Sequence, residues 1–186
     1  MTYNKFIDRI LEDKQFLHED ARTYTRKHAR RFFSTFKFCL KHLQKGAKVL
    51  SIGAFYGSIE KMLKEVLDLE ITVVDFPDSV NLQKDYYDFL GFKYLGIDLS
   101  KDLGGLPENY FDMIIYTEVI EHIPKSPYDQ IKPFDKLLRS GGNVVISTPN
   151  LSSIVHIAKL FMGLPLYDIP EKFFSSQKIK NKIFFS

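Results

Sequence analysis

Residues 48–57 read KVLSIGAFYG, and this stretch decides the fold. A short run from Lys48 to Ile52, rich in β-branched and apolar residues, meets Gly53 and Gly57. A segment follows in which Ile59, Leu63, Val66 and Leu67 recur at helical spacing. A strand running through a glycine turn into a helix is the repeating step of an α/β sheet. Glycines at such a turn let the backbone come close to a ligand and let the start of the helix pack tightly.

Further along the chain, ITVVD (71–75), FKYLGID (92–98), FDMIIYT (111–117) and NVVIST (143–148) read as four more strands. Val80, Tyr86, Phe89 and Leu90 mark a helix before the third strand, and Gly91 ends it. Towards the N-terminus, Phe6, Ile10 and Leu17, then Phe32, Phe36, Leu40 and Leu43, predict two helices, the second stopped by Gly46. Strands alternating with helices imply a doubly wound, mostly parallel sheet covered on both faces, with ligands at the carboxyl ends of the strands. The expected organisation is a helical cap over 1–46, the α/β core over 47–150 and a C-terminal helix with an irregular tail over 151–186.

The chain has 186 residues, 45% of them apolar and 26% charged, which suits one domain with its own core. No apolar run approaches the roughly 18 residues needed to cross a bilayer, and the start, MTYNKFIDRILEDK, is too charged for a secretory signal, so a cytoplasmic location is expected. The single cysteine, Cys39, makes neither an internal disulfide nor a CxxC zinc pattern and reads as a core residue. Net charge is +3 but unevenly spread: residues 1–48 hold 12 Lys and Arg against 5 Asp and Glu, leaving 14 against 18 for the rest. A basic N-terminal element over an acidic body suits an anionic substrate, or is simply a solvated helix face; no nucleic-acid motif is present, so nucleic acid is not expected as a partner.

The strand ends hold the candidate site residues. Asp75 closes the second strand, where a doubly wound sheet commonly places a carboxylate against the hydroxyls of a ribose, and Asp98 closes the third. A glycine turn and two acids at successive strand ends describe a nucleoside pocket. The alternative for each Asp is a helix cap or a surface charge.

VLSIGAFYG, VVDF, GIDLSKDL, FDMIIYTEVIEHI and LLRSGGNVVISTPN, in this order, resemble the motifs of class I S-adenosylmethionine-dependent methyltransferases over about residues 48–150. The blocks Glu118-Val119-Ile120-Glu121-His122 and Thr148-Pro149-Asn150 resemble the branch that includes ubiquinone-pathway O-methyltransferases and small-RNA 2′-O-methyltransferases. The resemblance implies a Rossmann-like fold and S-adenosylmethionine as cofactor. It implies that Gly53 and Gly57 line the methionine moiety, that Asp75 holds the ribose, that Asp98 and Leu99 flank the adenine, and that Glu118 forms the floor of the methyl-transfer site. Ser51, Ala54, Phe55 and Phe76 complete the implied cofactor-binding set. The implied reaction is methylation of a small-molecule or saccharide-like acceptor, on oxygen.

Two departures from the family pattern stand out. The first motif usually reads acid-x-Gly-x-Gly-x-Gly, whereas here Ser51 replaces the acid and Phe55 the middle glycine. A serine offers only a neutral hydrogen bond to the cationic end of the cofactor, and Phe55 cannot adopt φ > 0 cheaply, so the turn is expected to differ from the all-glycine version. Second, only 36 residues follow Asn150, so the usual last strands are expected to be missing or to lie in a longer chain. Ile154, Ile157, Ala158 and Phe161 predict a helix, the terminal NKIFFS a strand, and the Phe173-Phe174 and Phe184-Phe185 pairs suit self-association. These departures leave a second reading open, a degenerate, non-catalytic module that binds a nucleoside or a partner.

Methyl transfer from a sulfonium needs positioning, removal of a proton and exclusion of water. His122 is the sequence's candidate base, with Glu118 or Glu121 setting its tautomer. Glu118, Glu121 and His122 also make a candidate metal set, with His156 as the nearest further ligand; a fourth ligand is not evident, and the metal-free reading is preferred.

Overall fold

The computed structural model describes residues 1–101 and 103–148. Pro149, Asn150, His156, the helix expected from Ile154, the NKIFFS strand and the tail's phenylalanine pairs lie outside the described residues.

Two helices, α1 (Tyr3–Ile10) and α2 (Glu19–His42), precede the first strand, β1 (Lys48–Ile52). Then follow α3 (Ser58–Leu67), β2 (Glu70–Asp75), α4 (Pro77–Leu90), β3 (Lys93–Gly96), β4 (Phe111–Thr117), the short α5 (Pro127–Ile131) and α6 (Phe134–Leu137), and β5 (Leu138–Ser147). The five strands form one sheet in the order β3-β2-β1-β4-β5, every neighbouring pair parallel. This is the doubly wound arrangement expected from the sequence.

Parallel strands covered on both faces should be apolar throughout, and β1, β2 and β4 are almost wholly buried. Val49, Ile71, Val73, Met113 and Ile115 face one layer, where α1, α2 and α3 supply Phe6, Ile10, Phe36, Cys39, Met62 and Leu63. Leu50, Ile52, Val74, Ile114 and Tyr116 face the other, against Phe134 and Leu137 of the α6 region. Cys39 is fully buried, as expected of a core residue.

The helices differ from the sequence reading at three points. Leu17 is buried, but in the turn between α1 and α2 rather than on a helix. α2 begins at Glu19, well before the phenylalanine stripe, because its N-terminal half buries Ala21, Thr25 and Ala29, small residues that carry little hydrophobic signal. Phe89 on α4 is 56% exposed and packs against Phe16 at a tilt, with ring centroids 4.9 Å apart. α2 carries Glu19 and Asp20 in its first turn and Lys41 and His42 in its last, which complements the helix dipole at both ends.

A buried polar cluster fixes the N-terminal helices to the sheet layer. Lys61 of α3 is 3% exposed, and its ammonium donates to Asp13 Oδ2 (2.6 Å), Glu12 Oε1 (2.9 Å) and the Arg9 carbonyl (2.8 Å). Tyr86 of α4 donates its hydroxyl to the same Asp13 oxygen at 2.9 Å. A buried ammonium is tolerable only with this degree of satisfaction, so the α1–α2 turn has one place to sit.

Candidate functional site

The strand order reverses between β1 and β4, since β1 is followed in sequence by β2 on one side while β4 lies on the other. The crevice beyond the carboxyl ends of these two strands is where a doubly wound sheet binds its ligand.

The floor of the crevice is the turn after β1. Gly53, Phe55 and Gly57 all have left-handed backbones, with φ of +71°, +53° and +60°. The expectation that Phe55 would reshape this turn is therefore corrected, because the phenylalanine takes the left-handed conformation that a glycine would adopt. Its carbonyl accepts a 2.6 Å hydrogen bond from the Tyr87 hydroxyl, and its ring lies against Tyr56 and Tyr24, with centroids 4.1 Å and 5.4 Å away. These contacts offset a strain of about 1–2 kcal/mol for a non-glycine residue in that region. Gly53 is required by packing: a Cβ there would lie 2.3 Å from Val119 Cγ2. At Gly57 a Cβ would lie 3.0 Å from the Phe92 ring. Ala54 is half-buried against the first core layer.

Ser51 does not point at the turn. It is 1% exposed, and its hydroxyl donates to Glu60 Oε1 at 2.6 Å. Glu60, on the first turn of α3, is 3% exposed. Burial pushes its carboxyl well above the usual carboxylate range, partly offset by the Ser51 hydroxyl and by the Glu60 and Ile59 backbone N–H groups. An acid thus lies beside the end of β1 although Ser51 is not one, supplied by the following helix. The sequence signal was available: an acid three residues after the Gly57 helix cap is where a carboxylate returns to a helix N-terminus.

Asp75 ends β2 with 7% exposure, and its Oδ1 accepts the Phe76 N–H at 2.7 Å. Burial raises its carboxyl, opposed by N–H groups of Phe76 and Phe55 and by the Ser79 hydroxyl. A carboxylate has about four acceptor positions. Phe76, which caps α4, is 38% exposed beside it. Asp98 is engaged in its own turn: Oδ1 accepts the Ser100 N–H (3.0 Å) and hydroxyl (2.6 Å), and Oδ2 pairs with Lys101 at 3.1 Å. Ser100 and Lys101 hold this carboxyl below its ordinary range. Leu99 lines a cavity of about 40 Å³ with Ile52 and Tyr116, room for a water or two.

On the β4 side, Glu118 has φ +58°. Its carboxylate accepts the Ser147 hydroxyl at 2.9 Å and pairs with Arg31 of α2 at 2.9 Å. Glu121 and His122 lie 3.8 Å apart, and the His122 side chain is 58% exposed. Among the described residues, no three of His, Cys, Asp and Glu come together in a metal-binding group, because Glu118 turns instead to Arg31 and Ser147.

Sequence reasoning missed the upper wall of the crevice. Tyr24, His28 and Arg31 are spaced four and three apart, which places them on one face of α2. Tyr24 meets Phe55 at the end of β1, and Arg31 meets Glu118 at the end of β4. The spacing was legible, but nothing in the sequence tells which strand ends a distant helix will span.

A family model for a methyltransferase domain matches residues 23–181. The chain belongs to this family of methyltransferase domains. The N-terminal boundary of the match falls within α2, so the domain's own pattern takes in the helix that spans the crevice. Among solved structures, a complex of the Haloferax volcanii Trm112 methyltransferase activator with a putative methyltransferase is similar at 19% identity, TM-score 0.56, over 70% of this chain and 58% of that one. A putative sarcosine dimethylglycine methyltransferase from Galdieria sulphuraria is similar at 17% identity, TM-score 0.56, over 86% and 66%. The [4+2]-cyclase SpnF is similar at 17% identity, TM-score 0.54, over 64% and 44%. These likenesses establish the α/β fold, and the cyclase among them shows that this fold serves more than one reaction. The chain spans less than two thirds of the length of each of these three. No protein of curated function matches it. No helix among the described residues is long and apolar enough to cross a membrane.

Proposed function

We propose that this methyltransferase domain binds S-adenosylmethionine in the β1–β4 crevice and transfers its methyl group to a protic small-molecule acceptor, with oxygen as the favoured atom. The observation that carries the reading is Asp75, a carboxylate buried at the end of β2, next to the left-handed glycine turn, where the Phe76 and Phe55 N–H groups and the Ser79 hydroxyl take three of about four acceptor positions and leave one open. The open position suits one hydroxyl of a ribose, and the second takes the place of the Ser79 hydroxyl. Phe55 and Phe76, 43% and 38% exposed, offer apolar rings at the residues that follow β1 and β2, near that carboxylate. S-adenosylmethionine, when bound, supplies an electrophilic methyl group on a sulfonium.

The rest is work for the chain's own residues. Asp75 orients the ribose by hydrogen bonding, and the turn from Gly53 to Gly57 fixes the distance of the backbone from the ligand. Glu60 leaves a negative or proton-sharing group beside that turn. Tyr24 and Phe55 exclude water from one side of the crevice, and the Arg31–Glu118 pair closes the other. The likeness of the EVIEH block to the family's pattern after the fourth strand supports placing the acceptor near the end of β4.

The test is incubation of the full chain with methyl-labelled S-adenosylmethionine and a panel of hydroxyl, amine and saccharide acceptors, with products identified by mass spectrometry. Label on an acceptor oxygen, lost in Asp75→Ala, is the expected result. Saturable cofactor binding with no transfer to any acceptor would favour the non-catalytic nucleoside-binding module.

A further inference from the structure

α2 lies over the point where the sheet reverses its order, and its contacts there are specific. Tyr24 touches the cofactor-side turn through Phe55, with ring centroids 5.4 Å apart. Two turns further on, Arg31 Nη1 reaches Glu118 Oε2 at 2.9 Å. His28 stands between these two anchors on the same helix face, its ring 4.5 Å from that of Tyr24 and 6.4 Å from that of Phe32. It is half-buried and lies within electrostatic reach of Glu118. His28 thus lies between a contact to the end of β1 and a contact to the end of β4, the two strand ends between which donor and acceptor meet in this reading.

We propose that His28 is the catalytic base, the group that takes the proton from the methyl acceptor. The proposal rests on the methyltransferase reading above. The acceptor oxygen or nitrogen forms a bond to the methyl carbon while the methyl–sulfur bond breaks, its electron pair remaining on sulfur to leave a neutral thioether. The acceptor's proton passes to a ring nitrogen of His28 and then to water. Glu118 steadies the imidazolium formed in the step, as a carboxylate commonly does for a catalytic histidine.

The charged and titratable groups around His28 agree with this role. Burial lowers its pKa below the ordinary 6.5, and the neighbouring charges of Arg31 and Lys27 on α2 lower it further, while Glu118 at the end of β4 acts in the opposite sense. The Tyr24 ring adds an apolar wall without a charge. An imidazole in this setting is neutral at pH 7 and free to accept a proton. His122, the candidate from sequence, has its side chain 58% exposed, with Glu121 3.8 Å from its Nε2.

The experiment follows the five histidines of the full chain by ¹H–¹³C NMR through pH 5–8, with His28 assigned from the spectrum of His28→Gln. Three samples are compared: free protein, protein with S-adenosylhomocysteine, and protein with sinefungin, which carries a cationic amine where the methyl group of the cofactor lies. A positive charge facing His28 lowers its midpoint with sinefungin by at least about half a pH unit relative to S-adenosylhomocysteine. Equal His28 midpoints in the two complexes, or a response at His122 instead, overturn the proposal. His28→Gln keeps its affinity for S-adenosylhomocysteine within about threefold if the residue serves the acceptor side; a larger loss overturns the assignment. Failure of both ligands to bind the wild-type chain removes the methyltransferase reading itself, an outcome distinct from binding without a selective shift at His28.

Discussion

Replacing Ser51 by aspartate restores the acid of the family's first motif and, read from the sequence alone, should tighten cofactor binding. The structure predicts the opposite. The Ser51 hydroxyl lies 2.6 Å from Glu60 Oε1, both residues are at most 3% exposed, and burial already raises the Glu60 carboxyl. Ser51→Asp brings a second carboxyl to within about 3–4 Å of the first, where two charges at an effective dielectric of about 20 repel by roughly 4–5 kcal/mol. The cheaper route is for the pair to hold one more proton. At pH 7, keeping an aspartate of ordinary pKa 3.9 protonated costs about 4 kcal/mol, and at pH 5 about 1.5 kcal/mol. Urea unfolding followed by circular dichroism should therefore show Ser51→Asp destabilised by about 3–4 kcal/mol at pH 7, with more than half of the loss recovered at pH 5. Ser51→Ala, which removes one hydrogen bond and adds no charge, should cost about 1–2 kcal/mol. A Ser51→Asp protein as stable as the wild type at pH 7, or one whose loss is the same at both pH values, refutes the Ser51–Glu60 contact.

The Lys61 cluster predicts that Lys61→Met costs about 3–5 kcal/mol, because Asp13 and Glu12 lose a buried counter-ion, and that adding Asp13→Asn recovers part of it; a double-mutant cycle in urea checks the coupling. Phe55→Gly should change stability by less than about 1 kcal/mol, since relief of the left-handed strain is offset by the greater freedom of glycine in the unfolded chain and by lost contacts with Tyr24 and Tyr56. A calorimetric scan of the two proteins measures this. His28 has a lowered pKa in the folded state, so its contribution to stability is complete above pH 6.5 and is lost as pH falls through the folded value. Wild type should therefore lose more stability than His28→Gln between pH 7.5 and pH 5.5 in parallel urea titrations.

The parts of this fold that the sequence displayed are those that depend on local pattern. Apolar runs such as ITVVD and FDMIIYT have one use in an α/β protein, the buried parallel strand, and the turn at Gly53 and Gly57 marked where the first strand hands over to a helix. β5 starts at Leu138, five residues before the NVVIST run, because Arg139-Ser140-Gly141-Gly142 reads as a loop and yet forms part of the strand. What the sequence withheld was relationships between distant segments. Ser51 reads as a missing charge in the motif, because its partner Glu60 sits across a helix start rather than beside it. Glu118, Glu121 and His122 looked like a cluster because they are close in sequence, whereas a left-handed residue at Glu118 sends its carboxylate to Arg31, 87 positions earlier. The α2 face carrying Tyr24, His28 and Arg31 has no motif at all; its meaning comes from lying across the reversal of strand order.

Titration calorimetry of the full chain with S-adenosylhomocysteine and S-adenosylmethionine tests the central claim most directly. The account predicts saturable binding of both at one site per chain, weakened in Asp75→Ala by about 1.5–3 kcal/mol, some tenfold to a hundredfold, as expected for lost hydrogen bonds to a charged acceptor. No saturable binding of either ligand at millimolar concentration, or binding that Asp75→Ala leaves unchanged, would contradict it.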